Sequence, residues 1–466
     1  MDASVKKILT AINSSVDFDV RLAKADIACT SAHVAMLHRM GILSVDEQDA
    51  LERGLQKVGT AIDEGEFVWN PELEDVHTNI ESGLERLVGP LAGKIGAARG
   101  RNDLAVTALR IWLRDKCEEA TEKLIGVVGA FVAHAEEHAD TVMPGMTHLQ
   151  AAQPVSFGHL CLAYAEMFHR DARRFAQVRE WLNESPLGAC ALAGTSFEID
   201  RHFIATRLGF DRPTTNSIDS VADRDFVLDF LGACATTSVH VSRFAEDVVV
   251  WLTPQFGLLS LPDFLAGRSA IMPHKRNPDV LELIRAKSGR VIGNLNTLQI
   301  VLKGLSMSYC RDLQEDKEAA FDSADAICLS LDVLGLVVAN LQVHRDVMRK
   351  AAGTGFTTST DFADWLVRHK GLPFRQAHHL VTKLVEVAQH RGCSLGELEE
   401  ADRAAVDPRL GGSDWPLLDA EESMRSRSSY GGTAPERVRA AAQHMRARIG
   451  EFARPITSRE TTGNEH

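Results

Sequence analysis

The sequence predicts an all-α chain built around a bundle of long helices, on three observations. Apolar residues recur every three or four positions through stretches much longer than an average helix. Prolines stand at the ends of these stretches, where a missing backbone donor costs least. The stretches do not alternate apolar and polar residues as half-buried strands do.

Taken in order, the first long segment runs from about Val106 to Ala139, with Leu124, Val127, Val128 and Phe131 on one helical face. The second runs from about Ala152 to Leu182, with Pro154 read as its start signal. A third spans Asp225 to Thr253 and stops at Pro254, and a fourth spans Asp279 to Lys303 behind Pro278. Leu334, Val337, Val338 and Leu341 repeat the pattern in a fifth. Helices of this length bury more than one face, and one chain offers too little partner surface for them, so bundling between subunits is expected. Glycine and proline punctuation near Gly96–Gly100 and Gly353–Gly355 suggests three domains. These are an N-terminal helical domain over 1–98, a central bundle over 99–348 and a small helical domain over 349–466. No internal repeat or low-complexity tract is present.

Composition bounds the function. With 45% hydrophobic and 25% charged residues, the 466-residue chain reads as an ordinary globular protein with room for a large core. A net charge of −13 argues against nucleic acid or an anionic membrane as the main partner and leaves small anions open. The eight cysteines form no C-x-x-C pair and no histidine cluster has zinc spacing, so reduced thiols and no metal site are expected. The first residues lack an apolar signal core, and no apolar run approaches the roughly 20 residues of a membrane span, so a cytoplasmic protein is expected.

One segment carries chemistry. Arg268-Ser269-Ala270-Ile271-Met272-Pro273-His274-Lys275-Arg276-Asn277-Pro278 puts a hydroxyl, an ammonium and an amide in one short turn. Ser269 offers a hydroxyl that could become a base, Lys275 a fixed positive charge, and Asn277 an amide able to orient a carboxylate. That suits removal of a proton from a carbon beside a carboxylate, because the doubly charged aci-carboxylate that forms needs preplaced positive charge and donors. Taken alone, the turn also reads as a polar surface loop.

The turn resembles the Gly-Ser-Ser-x-Met-Pro-x-Lys-x-Asn motif of the fumarase and aspartase superfamily. Further segments resemble the argininosuccinate lyases of that superfamily and keep their order along the chain. They include Glu74-Asp75-Val76-His77-Thr78, Arg101-Asn102-Asp103 and Met143-Pro144-Gly145-Met146-Thr147-His148-Leu149-Gln150. Asn216-Ser217-Ile218-Asp219, Asp223-Arg224-Asp225-Phe226, Lys303-Gly304-Leu305 and Tyr309 to Glu318 follow. With Asn13-Ser14-Ser15 and Gly431-Gly432-Thr433 the motifs cover nearly the whole chain.

The resemblance implies a three-domain homotetramer whose long helices form a shared core, and β-elimination of argininosuccinate to arginine and fumarate. It implies that Ser269 is the base. It pairs His148, placed just before a helix in this reading, with Glu282, leaving His148 open as acid, relay or electrostatic group. Arg101, Asn102 and Thr147 match positions holding the substrate's carboxylates, while Tyr309, Gln314 and Lys317 match positions contacting its succinyl or amino-acid part. Ser15 and Asp19 match a segment that reaches the arginine end, and are equally an N-cap pair. The run Gln314 to Glu318 also reads as a solvated helix face. No cofactor is implied.

Departures leave the amine open. Gly96-Ala97-Ala98-Arg99-Gly100-Arg101-Asn102-Asp103-Leu104 stands where the family generally reads His-Thr-Gly-Arg-Ser-Arg-Asn-Asp-Gln. Arg268 and Ala270 replace a glycine and a second serine, and Arg268 is a candidate carboxylate ligand itself. A lyase releasing fumarate from another N-substituted aspartate is therefore the second reading, and a crystallin-like structural protein of the same fold the third.

Overall fold

The computed structural model describes residues 2–416 and 419–452; the end of the C-terminal domain expected over 349–466 lies outside them. In chain order the principal elements begin with α1 (Ala3–Asn13), α2 (Ala23–Arg39), α3 (Val45–Asp63), α4 (Val76–Val88) and α5 (Arg101–Glu137). Strands β1 (Val142–Thr147) and β2 (Gln150–Ser156), then α6 (Phe157–Trp181) and α7 (Asp225–Leu252), follow. Next come the short strands β3 (Gly267–Arg268) and β4 (Arg276–Asn277), α8 (Asp279–Leu302) and α9 (Asp316–Ala339). Toward the C-terminus lie α10 (Arg345–Ala352), α11 (Ser359–Lys370), α12 (Phe374–Arg391) and α13 (Ala420–Ser426).

Local chemistry sets the boundaries. α3 opens on a capping box in which the Ser44 hydroxyl accepts from the Glu47 amide while the Glu47 carboxylate accepts from the Ser44 amide. Asp75 caps α4 through the Thr78 amide. Glycines in the left-handed region end α11 at Gly371 and α12 at Gly392.

The chain divides into two units, Met1–Glu122 with Asp171–Val239 and Ala286–Ser330, and Lys123–Arg170 with His240–Arg285 and Leu331–His466. In the first, α2 packs on α3 and α4. Trp112 of α5 meets Phe321 of α9 edge to face, and Phe175 of α6 meets Phe230 of α7. Arg290 of α8 bonds Asp322 of α9, and Asn294 donates to Ser323 Oγ at 3.0 Å. In the second, Phe131 of α5 contacts Tyr164 and Phe168 of α6 and Phe244 of α7. There too, a separate core under α11 and α12 gathers Phe362, Leu366, Leu380 and Leu384. The five long helices α5 to α9 thus pack as the bundle that the periodicity predicts.

Some apolar surface stays open. Leu283 and Ile300 on α8 are 62% and 63% exposed, and Leu329 and Leu336 on α9 are 52% and 54% exposed. Leu329 and Leu336 lie two turns apart on one face.

One expected boundary is wrong. Residues 152–156 are not helix but belong to β2, antiparallel to β1 with Pro144 opposite Pro154. Pro154 therefore sits in a strand and does not start α6. That helix begins after Ser156, whose hydroxyl accepts from the His159 amide at 3.0 Å. Gly145 sits at the bulge in the hairpin, where a Cβ would meet the Gln153 carbonyl oxygen at 2.7 Å. The hairpin packs on α10 and α13, and the Thr433 hydroxyl receives the Ser156 amide at 2.8 Å.

Candidate active site

In the first unit, six of the expected substrate-contacting residues line one cavity of about 140 Å³: Ser15, Arg101, Asn102, Tyr309, Gln314 and Lys317. Asp19, Asp75, His77, Arg224 and Arg311 complete most of its wall. The first turn of α5 brings Arg101 and Asn102, the start of α4 brings Asp75 and His77, the segment between α1 and α2 brings Ser15 and Asp19, the approach to α7 brings Arg224, and the approach to α9 and its first turn bring Tyr309, Arg311, Gln314 and Lys317. Residues some 300 positions apart in sequence thus share one wall.

The cavity holds both signs of charge in fixed pairs. Glu74 Oε2 accepts from both terminal nitrogens of Arg101 at 2.9 Å, and Asp75 pairs with the Arg101 Nε. Glu74 adopts φ 68°, a strained conformation for a side-chain-bearing residue. Burial acts to raise the Asp75 pKa, but His77, the Thr78 amide and Arg101 outweigh it and hold it below the usual value. Asp316, fully buried, pairs with Arg224 and accepts from Lys317 at 2.8 Å. Burial opposes its charge, yet Lys317 and Arg224 win and lower its pKa. The run Gln314–Glu318 is accordingly solvated only in part: Glu315 and Glu318 are exposed, but Asp316 and Lys317 are both buried.

Ser15 and Asp19 resolve differently from an N-cap pair. The Ser15 hydroxyl makes no cap bond to the helix behind it; it donates to Asp19 Oδ2 at 2.5 Å. Asp19 also accepts from the Val76 amide at 3.1 Å, and burial raises its pKa against these bonds. Beside them lies a pair to which the sequence assigned no role, His77 bonded through Nδ1 to Asp26. Both are buried; desolvation lowers the His77 pKa, but Asp26, Asp75 and Asp19 together raise it above its ordinary value. The Glu74–Thr78 motif pointed to the neighbourhood, but the partner lies 51 residues away.

In the second unit, β3 and β4 pair antiparallel and present the Ser269–Lys275 turn as the tip of a small hairpin. Ser269 Oγ accepts from the Ile271 and Met272 amides at 3.3 and 3.1 Å, so its oxygen already faces two backbone donors. Lys275, Asn277 and Glu282 line a cavity of about 770 Å³ beneath the turn. Arg268 does not stand free as a carboxylate ligand. It and Arg276 share Asp263, whose pKa they lower by hydrogen bonds and charge.

Thr147 and His148 occupy the exposed tip of the β1–β2 hairpin, not a helix start as expected for His148. Thr147 pairs with Gln150, which leaves His148 and Leu149 as a two-residue turn at φ 54° and 56°. Such turns favour asparagine and glycine, so a histidine and a leucine there are held against their preference. Strain of this kind concentrates at functional positions. His148 and Glu282 form no hydrogen bond or ion pair with each other.

The altered segment before α5 is a built feature. A Cβ on Gly100 would meet the Cys190 carbonyl carbon at 2.7 Å, so no side chain fits there without moving backbone. Leu104 is buried at 2% exposure and does not line the cavity.

Comparison with known proteins agrees with this architecture. A lyase family model matches residues 1–293, and a model of the argininosuccinate lyase C-terminal region matches 356–425. A solved structure of EDDS lyase in complex with formate is 30% identical over 94% of this chain and 88% of that one, with a TM-score of 0.83. Two others share the fold at lower identity. A class II fumarase from Schistosoma mansoni has 16% identity and a TM-score of 0.74 over 90% of this chain and 94% of its own. A 3-carboxy-cis,cis-muconate lactonizing enzyme from Pseudomonas putida has 19% and 0.72 over 93% and 95%. With a family model spanning more than half of its length, the chain belongs to the lyase family, and its C-terminal part is similar to the C-terminal region of argininosuccinate lyases.

Proposed function

We propose that this lyase cleaves an N-substituted aspartate by β-elimination, releasing fumarate and an amine, with argininosuccinate as the leading substrate and arginine as its amine. The observation that carries the reading is the convergence of Ser15, Arg101, Asn102, Tyr309, Gln314 and Lys317 on one cavity of mixed charge. A substrate with two carboxylates and a cationic amine end matches that mixture: Arg101 and Asn102 take carboxylates, joined in the assembled site by Thr147 of the hairpin tip, and Ser15 faces the amine end. Ser269 removes the proton from carbon 3, and that electron pair forms the double bond as the bond from carbon 2 to nitrogen breaks. Lys275 and Asn277 meet the charge that builds on the neighbouring carboxylate. The amide donors at Ser269 favour its alkoxide, without which a serine is a poor base. His148 serves the departing amine, and because it does not meet Glu282 within one chain, its orientation by Glu282 belongs to the assembled site between subunits. The reaction needs no cofactor.

The full site combines segments of different subunits in a homotetramer. Supporting this, candidate residues fall in both units of the chain, and α8 and α9 carry exposed leucine and isoleucine.

A second reading keeps the reaction and changes the amine. The glycine enforced at position 100 and the 30% identity to EDDS lyase favour it. Following fumarate absorbance with argininosuccinate, EDDS, adenylosuccinate and aspartate separates the two. Saturable turnover of argininosuccinate alone supports the first, preference for EDDS the second, and no fumarate from any substrate refutes both. Ser269→Ala is expected to lower kcat at least about a hundredfold with binding retained. A near-normal kcat would place the base elsewhere.

A further inference from the structure

Asp103 is fully buried at the start of α5 and faces away from the cavity that Arg101 and Asn102 line. Its carboxylate accepts three backbone amides: Gly100 on Oδ1 at 3.1 Å, and Gly188 and Cys190 on Oδ2 at 2.8 Å each. Two chain segments nearly 90 residues apart are thereby drawn onto one side chain. Their approach is so close that position 100 has no room for a Cβ. Asn102 is seated by the same arrangement, since its Nδ2 donates to the Ala191 carbonyl at 3.1 Å.

We propose that Asp103 is a positioning residue for substrate binding: by gathering the Gly100, Gly188 and Cys190 amides, it fixes Arg101 and Asn102 where they take the substrate's carboxylates. The inference rests on the reading of that cavity as the substrate site. Neither arginine beside it can share the task, since a guanidinium donates hydrogen bonds and cannot accept from an amide. Arg99 is committed to Thr30 and Glu81, and Arg201 to the carbonyls of Leu187, Ser185, Pro186 and Thr214. The titratable groups that face Asp103 are these two arginines with Cys29 and Cys190. Burial pushes its pKa up to about 6 despite the three amides. Protonation removes the negative charge and makes one oxygen a donor and a poorer acceptor, so the bonds from the three amides weaken. Substrate affinity is therefore expected to fall as pH falls through about 6, while the chemical step keeps its rate.

The test uses the full chain and two readouts. In wild type, hydrogen-exchange protection at Gly100, Gly188 and Cys190, corrected for intrinsic rates, is expected to fall as pH drops through 6, with the long helices unchanged. In Asp103→Asn, the same amides are expected to exchange faster at pH 7.5. KM for the fumarate-releasing substrate should rise at least about tenfold with kcat within about threefold, and the KM limb near pH 6 should vanish. Unchanged protection in both experiments, or equal losses in kcat and kcat/KM with KM constant, overturns the inference. The wild-type pH series decides if the variant does not fold. Arg101→Ala separates the two ideas. If it leaves KM unchanged, the substrate-site reading fails and this inference falls with it; if it raises KM while the three amides ignore Asp103, only this inference fails.

Discussion

At Gly100 the structure changes the meaning of a substitution. In sequence the glycine stands where the family generally has a serine, and so reads as a lost hydroxyl; in the fold it is what lets the Cys190 backbone approach. Gly100→Ser is therefore expected to restore nothing. It should destabilise the chain by about 1–3 kcal/mol, the usual cost of overpacking, and raise KM by disturbing Arg101 and Asn102. Thermal unfolding and steady-state kinetics check this; improved kcat/KM would contradict it. His77 supplies a pH test. Its raised pKa means that the native state holds a proton more tightly than the unfolded chain. That stabilisation is complete below about 6.5, the usual histidine value, and is lost as pH rises through the raised native value. The Tm of wild type should fall over that window, and His77→Asn should flatten the profile; equal slopes would show that the His77–Asp26 pair is not responsible.

The β1–β2 hairpin shows how an element stores strain at its tip. Its register, with Pro144 opposite Pro154 and a bulge at Gly145, leaves only two residues to turn the chain. Both take positive φ, so His148 projects from a tight turn that its own preferences oppose. Leu149→Gly removes part of that cost and is expected to stabilise the chain by roughly 1 kcal/mol while lowering kcat, because the His148 backbone gains freedom. Calorimetry and turnover on one preparation test it. A destabilised variant would mean that Leu149, exposed in this chain, has a packing role in the assembly.

For the whole molecule, the exposed leucines of α9 carry the expectation of assembly. Leu329 and Leu336 lie on one face, where single apolar residues are common but a long-helix row calls for a partner. Leu336→Glu would bury a lone carboxylate in a shared core. It is expected to dissociate the proposed tetramer and abolish the proposed fumarate release while the chain stays helical by circular dichroism. Sedimentation velocity at assay concentration reads this out; an active, stable wild-type monomer would remove the basis for the shared site.

The sequence by itself determined the long helices, because a 3.6-residue period is local and Leu124, Val127, Val128 and Phe131 display it without any partner. It also marked candidate site residues, since the Ser269–Asn277 and Arg101–Asn102 motifs are contiguous. Tertiary structure decided the rest. Pro154 fits a helix start or a strand equally, and only pairing with Pro144 selects the strand. Asp26 and His77, Asp103 and Cys190, and Gly100 and the Cys190 backbone are far apart in the chain. Their meaning is a distance, and a distance between remote residues exists only once the core has packed and fixed both backbones.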